Sequence, residues 1–171
     1  MRLSGLNLIV PKVFPDARGY FFESYREHLG TFPQDNISFS KKNVLRALHY
    51  QSVPGQAKLV SCLQGKIWDV AVDIRPDSPT FGQWEATFLD DISHHQFFIP
   101  VGFAHGYCVL SDTALVHYKV SALFDPETEM SIRWNDPDLA IAWPIQHPIL
   151  SLRDQQSPFW REVCENLGAR I

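Results

Sequence analysis

The sequence predicts an all-β fold, a jelly-roll β-barrel with a few short helices, one of them near the C-terminus. Most of the chain consists of short segments that alternate apolar and polar residues and are separated by turn residues, a pattern typical of sandwiches and closed barrels. Its 171 residues, of which 45% are hydrophobic and 20% charged, suit one domain with a substantial core. No repeat, linker or low-complexity stretch divides them, so we expect a single domain over residues 1–171.

The clearest strand covers residues 67–74, because its side chains alternate between two faces. Trp68, Val70, Val72 and Ile74 share one face, and Asp69 lies on the other. A strand at about 57–63 precedes it, joined by a tight hairpin at residues 64–66. Further strands are predicted near residues 5–14, 20–24, 36–51, 83–89, 95–99, 105–111 and 114–120.

Helix is predicted mainly at the end of the chain. Ser157 is a favourable N-cap, Pro158 suits the first helical position, and Gly168 can close the helix after Leu167. A second short helix is possible near residues 25–29, and the composition of 76–79 and 135–138 indicates turns.

The bulk composition excludes several classes of protein. A net charge of −4 argues against a nucleic-acid partner held by a general positive field, although a few arginines can still line a pocket for a small anion. The cysteines Cys62, Cys108 and Cys164 have no paired spacing, which favours free thiols in a reducing compartment. Neither a signal-peptide core nor an apolar run of membrane length is present, so we expect a cytoplasmic protein without a membrane partner.

The first chemical motif is the segment 43–51, NVLRALHYQ. His49 can act as a general base because imidazole titrates near neutral pH, although a histidine hydrogen-bonded at a strand surface fits the same pattern. Gln51, two residues on, lies on the same strand face as His49, whereas Arg46, three residues before it, lies on the opposite face. Arg46 and His49 can therefore reach one pocket only if a bulge or a strand end lies between them.

The second motif is the segment 99–106, IPVGFAHG, whose Pro-x-Gly-x-x-His spacing resembles the second motif of the cupin superfamily. In many cupins this histidine, here His105, binds a metal. The first cupin motif would supply His-x-His and an acidic ligand, but this chain has His49 with Gln51, and then Lys58. Because a lysine cation opposes a divalent cation and glutamine is a poor ligand, the sequence predicts a site without metal.

Three further residues have both a chemical and a structural interpretation. Tyr118 could donate a proton from a strand, or it could simply pack there. Asp154 could orient a histidine and fix its tautomer, or it could accept hydrogen bonds in a turn. Arg18, like Arg46, could bind a diphosphate, or it could belong to a turn that leads into a strand.

Taken together, these segments resemble the dTDP-4-dehydrorhamnose 3,5-epimerase family, which is part of the cupin superfamily. The resemblance runs in the family's order over nearly the whole chain. The matching segments are 14–24, 34–38, 43–51, 58–60, 69–75, 78–82, 99–106, 118–119, 134–137 and 150–154. The chain departs from the family at Ala47, where glycine is usual, and at Phe124, where a tyrosine is common.

The resemblance implies a cupin-type jelly roll that acts as a homodimer without cofactor or metal. The implied reaction is epimerisation of dTDP-4-keto-6-deoxy-D-glucose at C3 and C5, which gives dTDP-4-keto-L-rhamnose. His49 would be the base, Asp154 its orienting partner, Lys58 the group that stabilises the enolate oxygen, and Tyr118 the proton donor on the opposite face. Positions implied to hold the nucleotide, diphosphate or sugar, or to line the pocket, are Arg18, Glu23, Gln34, Asn36, Arg46, Gln51, Asp69, His105 and Phe124.

Other functions stay open on the sequence. An epimerase that acts at C3 or C5 alone would keep the same base, and a non-catalytic cupin that binds sugar nucleotides would keep only the pocket. A metal-dependent cupin enzyme would contain stoichiometric metal. The double epimerase, the single-carbon epimerase and the non-catalytic cupin differ in the number of carbons that exchange a proton with solvent: two, one or none.

Overall fold

The computed structural model describes residues 1–169, so Arg170 and Ile171 of the predicted domain lie outside the described residues. The strands, in chain order, are β1 (Asn7–Ile9), β2 (Val13–Asp16), β3 (Gly19–Phe22), β4 (Gln34–Lys41), β5 (Leu45–Gln51), β6 (Lys58–Gln64), β7 (Lys66–Asp73), β8 (Trp84–Asp90), β9 (Gln96–Ile99), β10 (Phe103–Val109), β11 (Thr113–Val120) and β12 (Glu129–Ser131). A 3₁₀ helix covers Glu27–Leu29, and two short α-helices follow the strands: α1 (Leu152–Gln156) and α2 (Trp160–Asn166).

The strands form two five-stranded antiparallel sheets and a separate hairpin. The first sheet has the order β1-β9-β6-β11-β4, the second has the order β12-β5-β10-β7-β8, and β2 pairs with β3. Neighbours in each sheet are mostly distant in sequence, as in a jelly roll rather than a meander. The predicted all-β jelly roll is therefore confirmed.

Strand β7 explains how two apolar layers form around the second sheet. Ile67 and Ala71 face the first sheet, where they pack with residues such as Val60 of β6. Val70 and Val72 face outward and pack with residues of α2. The side chains of β7 alternate between two faces as predicted, and apolar layers cover both of them.

The predicted strand over residues 36–51 is two strands, β4 and β5, separated by a turn. Asn43 lies in that turn with φ of 63°, a left-handed conformation that asparagine tolerates better than most residues. The turn reverses the chain from the first sheet into the second, so the motif around His49 and the polar residues of β4 belong to opposite walls of the barrel.

The predicted cap of the last helix is wrong. Ser157 is the C-cap of α1, and its hydroxyl donates to Ser131 at 2.9 Å. α2 begins two residues after Pro158, where the buried carboxylate of Asp136 accepts the backbone N–H of Trp160 at 2.7 Å. Gly168 has φ of 71° directly after the helical end, as expected for a glycine that closes a helix. No helix among residues 1–169 is long and apolar enough to cross a bilayer.

Candidate active site

A polar cavity of about 360 Å³ lies between the two sheets and collects most of the residues that the sequence singled out. Alternation along β4 directs Gln34, Asn36 and Ser38 into it, whereas Ile37 and Phe39 point outward and are exposed. The complete lining is Gln34, Asn36, Ser38, Arg46, His49, Gln56, Lys58, His105, Tyr107, Tyr118, Phe124 and Glu129.

His49 lines this cavity and forms a hydrogen-bonded pair with Asp154, which is not part of the lining. The Nε2 atom of His49 lies 2.6 Å from Oδ1 of Asp154, whose side chain is almost completely buried. Because a carboxylate only accepts, Nε2 donates, and the lone pair of the neutral ring lies on Nδ1. Asp154 is held at the start of α1, where the hydroxyl of Ser151 accepts its backbone N–H at 3.1 Å. This is the arrangement of an oriented general base.

A β-bulge brings Arg46 and His49 to the same cavity. His49 lies opposite His105 and Arg46 opposite Tyr107, so two residues of β5 face the single Gly106 of β10 between them. The bulge predicted from the parity of Arg46 and His49 is therefore present.

Gly106 has no room for a side chain at the bulge. A Cβ on Gly106 would lie 2.4 Å from the Cβ of Ala47, a distance that real Cβ atoms do not reach. The methyl group of Ala47 is completely buried in the apolar layer outside the second sheet, and it does not line the cavity. The departure at Ala47 therefore leaves the cavity uncrowded.

Lys58 supplies a buried cation beside His49. Its side chain is only 7% exposed, and its Nζ donates to the backbone oxygen of His49 at 3.2 Å. Burial lowers the pKa of Lys58 to about 8, while the negative charges of Glu129 and Asp69 oppose that shift. The ammonium form therefore prevails at neutral pH, in surroundings where its charge is poorly screened.

His105 is a second histidine in the cavity, and Asp69 lies behind it. Its Nε2 lies 2.9 and 3.0 Å from the two carboxylate oxygens of Asp69, which is fully buried. Burial lowers the pKa of His105 and raises the pKa of Asp69. The ring is therefore held in one orientation, as a neutral polar group that faces the ligand space.

Two tyrosines line the cavity. Burial raises the pKa of Tyr118 and of Tyr107, so both phenols keep their protons at neutral pH and can donate them. Tyr118 is half-buried on β11, in the sheet opposite His49. The hydroxyls of Tyr107 and Ser38 lie 2.7 Å apart and join the two sheets. An imidazole and a phenol thus face one space from different walls.

Amide side chains at the mouth fix the loop after β11. The Nε2 atom of Gln34 donates to Asn36 at 2.9 Å, and its Oε1 accepts the backbone N–H of Phe124 at 2.8 Å. Gln51 is buried and donates to the backbone oxygen of Leu123 and to the hydroxyl of Thr128, so it anchors this loop and does not line the cavity.

Besides Gln51 and Asp69, the predicted ligand residues Arg18 and Glu23 also lie outside the cavity. Arg18 is on the turn between β2 and β3, where its side chain is 89% exposed and pairs with Asp16. Glu23 pairs with Arg26 and borders a different depression beside the β2–β3 hairpin. The structure thus brings together the residues of β4, β5, β6, β10 and β11, but not those of the hairpin.

Four lining residues were not predicted from the sequence. Ser38 and Tyr107 could have been found by parity, since they follow Asn36 and His105 by two residues on the same strand face. Gln56 and Glu129 had no such signal, because each lies next to a turn. No group of three or more histidine, cysteine, aspartate or glutamate side chains within the described chain is arranged to hold a metal ion.

Comparison with known proteins gives consistent matches. A family model described as dTDP-4-dehydrorhamnose 3,5-epimerase matches residues 1–162. A dTDP-4-dehydrorhamnose 3,5-epimerase of Pseudomonas aeruginosa is 49% identical over 158 residues, which cover 87% of this chain and 87% of that protein. Another, of Neisseria gonorrhoeae, is 46% identical over 169 residues and 94% of this chain, which spans about half (52%) of that relative's length.

A solved structure agrees over the whole chain. It is a crystal structure of dTDP-6-deoxy-D-glucose-3,5-epimerase from Legionella pneumophila in complex with dTDP-4-keto-L-rhamnose. It matches with a TM-score of 0.94 and 45% identity, and covers 100% of this chain and 96% of that one.

Proposed function

The chain belongs to the dTDP-4-dehydrorhamnose 3,5-epimerase family, and on that premise we propose that it epimerises dTDP-4-keto-6-deoxy-D-glucose at C3 and C5. The product is dTDP-4-keto-L-rhamnose. The observation that carries the proposal is the convergence of His49, Lys58 and Tyr118 on one cavity, with Asp154 hydrogen-bonded to His49. These groups supply a base, a cation and an acid for proton transfer beside a ketone.

The first step breaks a C–H bond next to the ketone. Nδ1 of His49 takes the proton, and the electron pair of the bond moves into the enolate, whose oxygen becomes negative. The ammonium of Lys58 stabilises that charge, and its low exposure makes the interaction stronger than it would be in water. Asp154 stabilises the imidazolium that forms.

The second step inverts the carbon. Tyr118 gives its phenolic proton to the face opposite the one that His49 deprotonated, because a proton returned by His49 would restore the original configuration. The position of Tyr118 in the other sheet supports this role. His105, fixed by Asp69, is proposed to bind the sugar. No step requires a metal or another cofactor.

Arginine and amide side chains are proposed to bind the nucleotide. The guanidinium of Arg46 suits a diphosphate because it donates several hydrogen bonds in a planar array. Gln34 and Asn36 offer amide donors and acceptors at the mouth. Phe124 offers an aromatic face there.

Phe124 supports a second candidate function, epimerisation at one carbon only. It lines the cavity with a ring that lacks the hydroxyl common at this position in the family. A lost contact to the sugar could leave one of the two carbons badly oriented for His49. The reaction mechanism at the remaining carbon would be unchanged.

Proton exchange in heavy water distinguishes the two candidates. With dTDP-4-keto-6-deoxy-D-glucose as substrate, we expect NMR to show deuterium at both C3 and C5 of the product. Label at one carbon would favour the single-carbon epimerase. Absence of label would reject both candidates and would favour a non-catalytic sugar-nucleotide-binding protein.

We further propose a homodimer in the cytoplasm. Phe14, Tyr20 and Phe21 of the hairpin are about half exposed or more, and so is Phe39 on the outward face of the edge strand β4. Apolar residues on a hairpin and an open sheet edge are the kind of surface that a second copy covers. In such a dimer, Arg18 and Glu23 would contact the nucleotide in the partner's cavity. The three buried free thiols fit a reducing compartment.

Arg18→Ala tests this arrangement. We expect the KM for the nucleotide sugar to rise about 10-fold or more, because a charge-assisted hydrogen bond is lost, while kcat changes less. Arg161→Ala is the matched control, since Arg161 is also exposed and ion-paired. At a substrate concentration well below the KM of Arg18→Ala, mixing Arg18→Ala chains with His49→Ala chains should raise activity above that of either variant alone, because a hybrid dimer contains one pocket with both residues. Failure of the mixture, with hybrids present, would contradict the contribution in trans.

A further inference from the structure

We propose that His94 is a positioning residue for the nucleotide sugar, because its ring holds the β2–β3 hairpin in the orientation that lets Arg18 reach the partner's cavity. The proposal rests on the proposed homodimer, in which Arg18 and Glu23 contact the nucleotide of the other chain. His94 is not among the residues that line the cavity. It therefore acts through the hairpin and not on the reacting atoms.

The hairpin depends on side-chain contacts for its orientation. Among residues 1–169, β2 and β3 pair only with each other, and neither strand joins one of the five-stranded sheets. A two-stranded ribbon without such support is marginally stable in water. Arg18 lies in its turn with a side chain that is 89% exposed, so its position is only as well defined as the hairpin that carries it.

The ring of His94 supplies a contact of the required kind. Its centroid lies 4.5 Å from that of Tyr20 and 4.7 Å from that of Phe22, two side chains on the same face of β3. The rings of Tyr20 and Phe22 are 6.1 Å apart, so the three rings form one stack. His94 is only 9% exposed. Arg18 lies two residues before this pair and Glu23 directly after it, so the stack lies between the two proposed nucleotide contacts.

The turn before β9 presents His94 to the hairpin. Its φ is 54°, in the left-handed region where histidine and asparagine are enriched over most residues. Asp90 fixes this turn, because its carboxylate accepts the N–H of Ser93 at 2.7 Å and its backbone oxygen accepts the N–H of His94 at 3.3 Å. Two residues later, Nε2 of Gln96 donates to the backbone oxygen of Ser24 at 2.9 Å. This segment therefore holds the hairpin by an aromatic contact along β3 and by a hydrogen bond just beyond it.

Loss of the His94 ring should weaken binding and leave the chemistry intact. Without the stack the hairpin would sample orientations in which Arg18 misses the nucleotide, and the apparent affinity falls with the fraction of competent molecules. Aromatic contacts of this kind correspond to about a 3- to 10-fold change in that affinity. The proposed proton transfers depend on groups in the barrel and would proceed as before.

His94→Asn removes the ring and keeps a residue type that tolerates the left-handed backbone. We expect the KM for the nucleotide sugar and the Kd for dTDP, measured by calorimetry, to rise by the same factor of about 3 to 10. The kcat and the entry of deuterium at C3 and C5 should match wild type. His95→Asn is the matched control, since the ring of His95 lies outside the stack, and both constants should stay at their wild-type values.

His94→Phe separates positioning from a merely structural role. The phenylalanine restores a ring to the stack, but a φ of 54° is less favourable for it than for histidine. The midpoint of urea unfolding should therefore fall while the KM stays near the wild-type value. A purely structural His94 would instead give a KM that follows the stability.

A double variant shows whether His94 acts through Arg18. In Arg18→Ala the nucleotide contact is already lost, so His94→Asn should add little to the KM, as expected of residues that serve one interaction. Phe22→Leu removes a ring on the hairpin side of the stack and should raise the KM as His94→Asn does. It also keeps the test decisive if the asparagine variant does not fold. Sedimentation should show a dimer for every variant.

The outcomes separate this proposal from the proposed function. An inactive wild type that binds dTDP would reject the epimerase, and the Kd of His94→Asn for dTDP would still decide the role of His94. A wild-type KM in Arg18→Ala would reject the contact in trans, and the role of His94 with it. A KM raised only by Arg18→Ala, or effects that multiply in the double variant, would overturn the role of His94 alone. Dissociation of His94→Asn into monomers would also overturn it, because the stack would then support the dimer contact.

Discussion

Replacing His49 by alanine should lower the rate of proton exchange at the carbons beside the ketone by about 10²–10⁴-fold, the range typical of a lost general base. Binding of the nucleotide sugar should change little, because the imidazole acts on a C–H bond that contributes almost nothing to affinity in the ground state. The two quantities are measured separately, exchange by NMR in heavy water and affinity by calorimetry with dTDP.

His147→Ala is a suitable control because His147 is exposed and lies outside the cavity. It should exchange at the wild-type rate. Exchange that survives in His49→Ala would assign the base to another residue, and His105 would be the first to examine, since it is the other histidine in the cavity. Loss of dTDP binding together with exchange would mean that His49 supports the pocket rather than the chemistry.

Strand parity explains how much of this site was accessible from sequence. Because side chains of a strand alternate, Arg46 and His49 could share a pocket only across a bulge or a strand end, and the register shift opposite Gly106 shows that it is a bulge. The same rule extends from His105 to Tyr107 and from Asn36 to Ser38, so these two lining residues were predictable in principle. Local periodicity therefore defined most of the cavity wall.

Contacts between distant segments account for what the sequence analysis missed. The cap of α2 is a carboxylate from Asp136, 24 residues upstream, so the locally favourable Ser157 was misleading. Glu129 lines the cavity from the three-residue strand β12, which pairs with β5 and is too short to show an alternating pattern in the sequence. Arg18 and Glu23 lie on a hairpin away from the cavity, and their proposed role depends on a second chain. Parity and capping rules act over a few residues, whereas these positions are set by tertiary or quaternary contacts.

Lys58→Met should lower kcat by about 10²–10³-fold, since the enolate would form without the buried ammonium beside it. Methionine keeps most of the side-chain volume and removes the buried charge. Lys58→Arg keeps a charge but changes its geometry, so partial activity is expected. If Lys58→Met retained wild-type kcat, the charge that stabilises the enolate would have to come from elsewhere, with Arg46 as the remaining cation of the cavity.

The lowered pKa of Lys58 gives this prediction a pH signature. With a pKa of about 8 in the folded protein, the ammonium is present below that pH and is lost as pH rises through it, so wild-type kcat should fall above pH 8. Tyr118 does not explain such a fall, because burial raises its pKa above the ordinary value of 10.0. In Lys58→Arg the guanidinium stays charged, and this alkaline decline should disappear.

The contribution of Lys58 to the free energy of unfolding should rise over the same pH interval in which kcat falls. The ordinary pKa of lysine is 10.5. Between about pH 8 and 10.5 the unfolded chain therefore still binds the proton that folded Lys58 has released. As a result, the contribution of Lys58 to the free energy of unfolding rises with pH. Below pH 8 the buried charge imposes its full destabilisation. In urea unfolding, the free energy of unfolding of Lys58→Met should therefore exceed that of wild type by most at neutral pH. This difference between the two proteins should narrow toward pH 10.5. A fall in activity that accompanies a relative gain in stability cannot be alkaline unfolding, and it would identify the alkaline limb with the ammonium that the enolate requires.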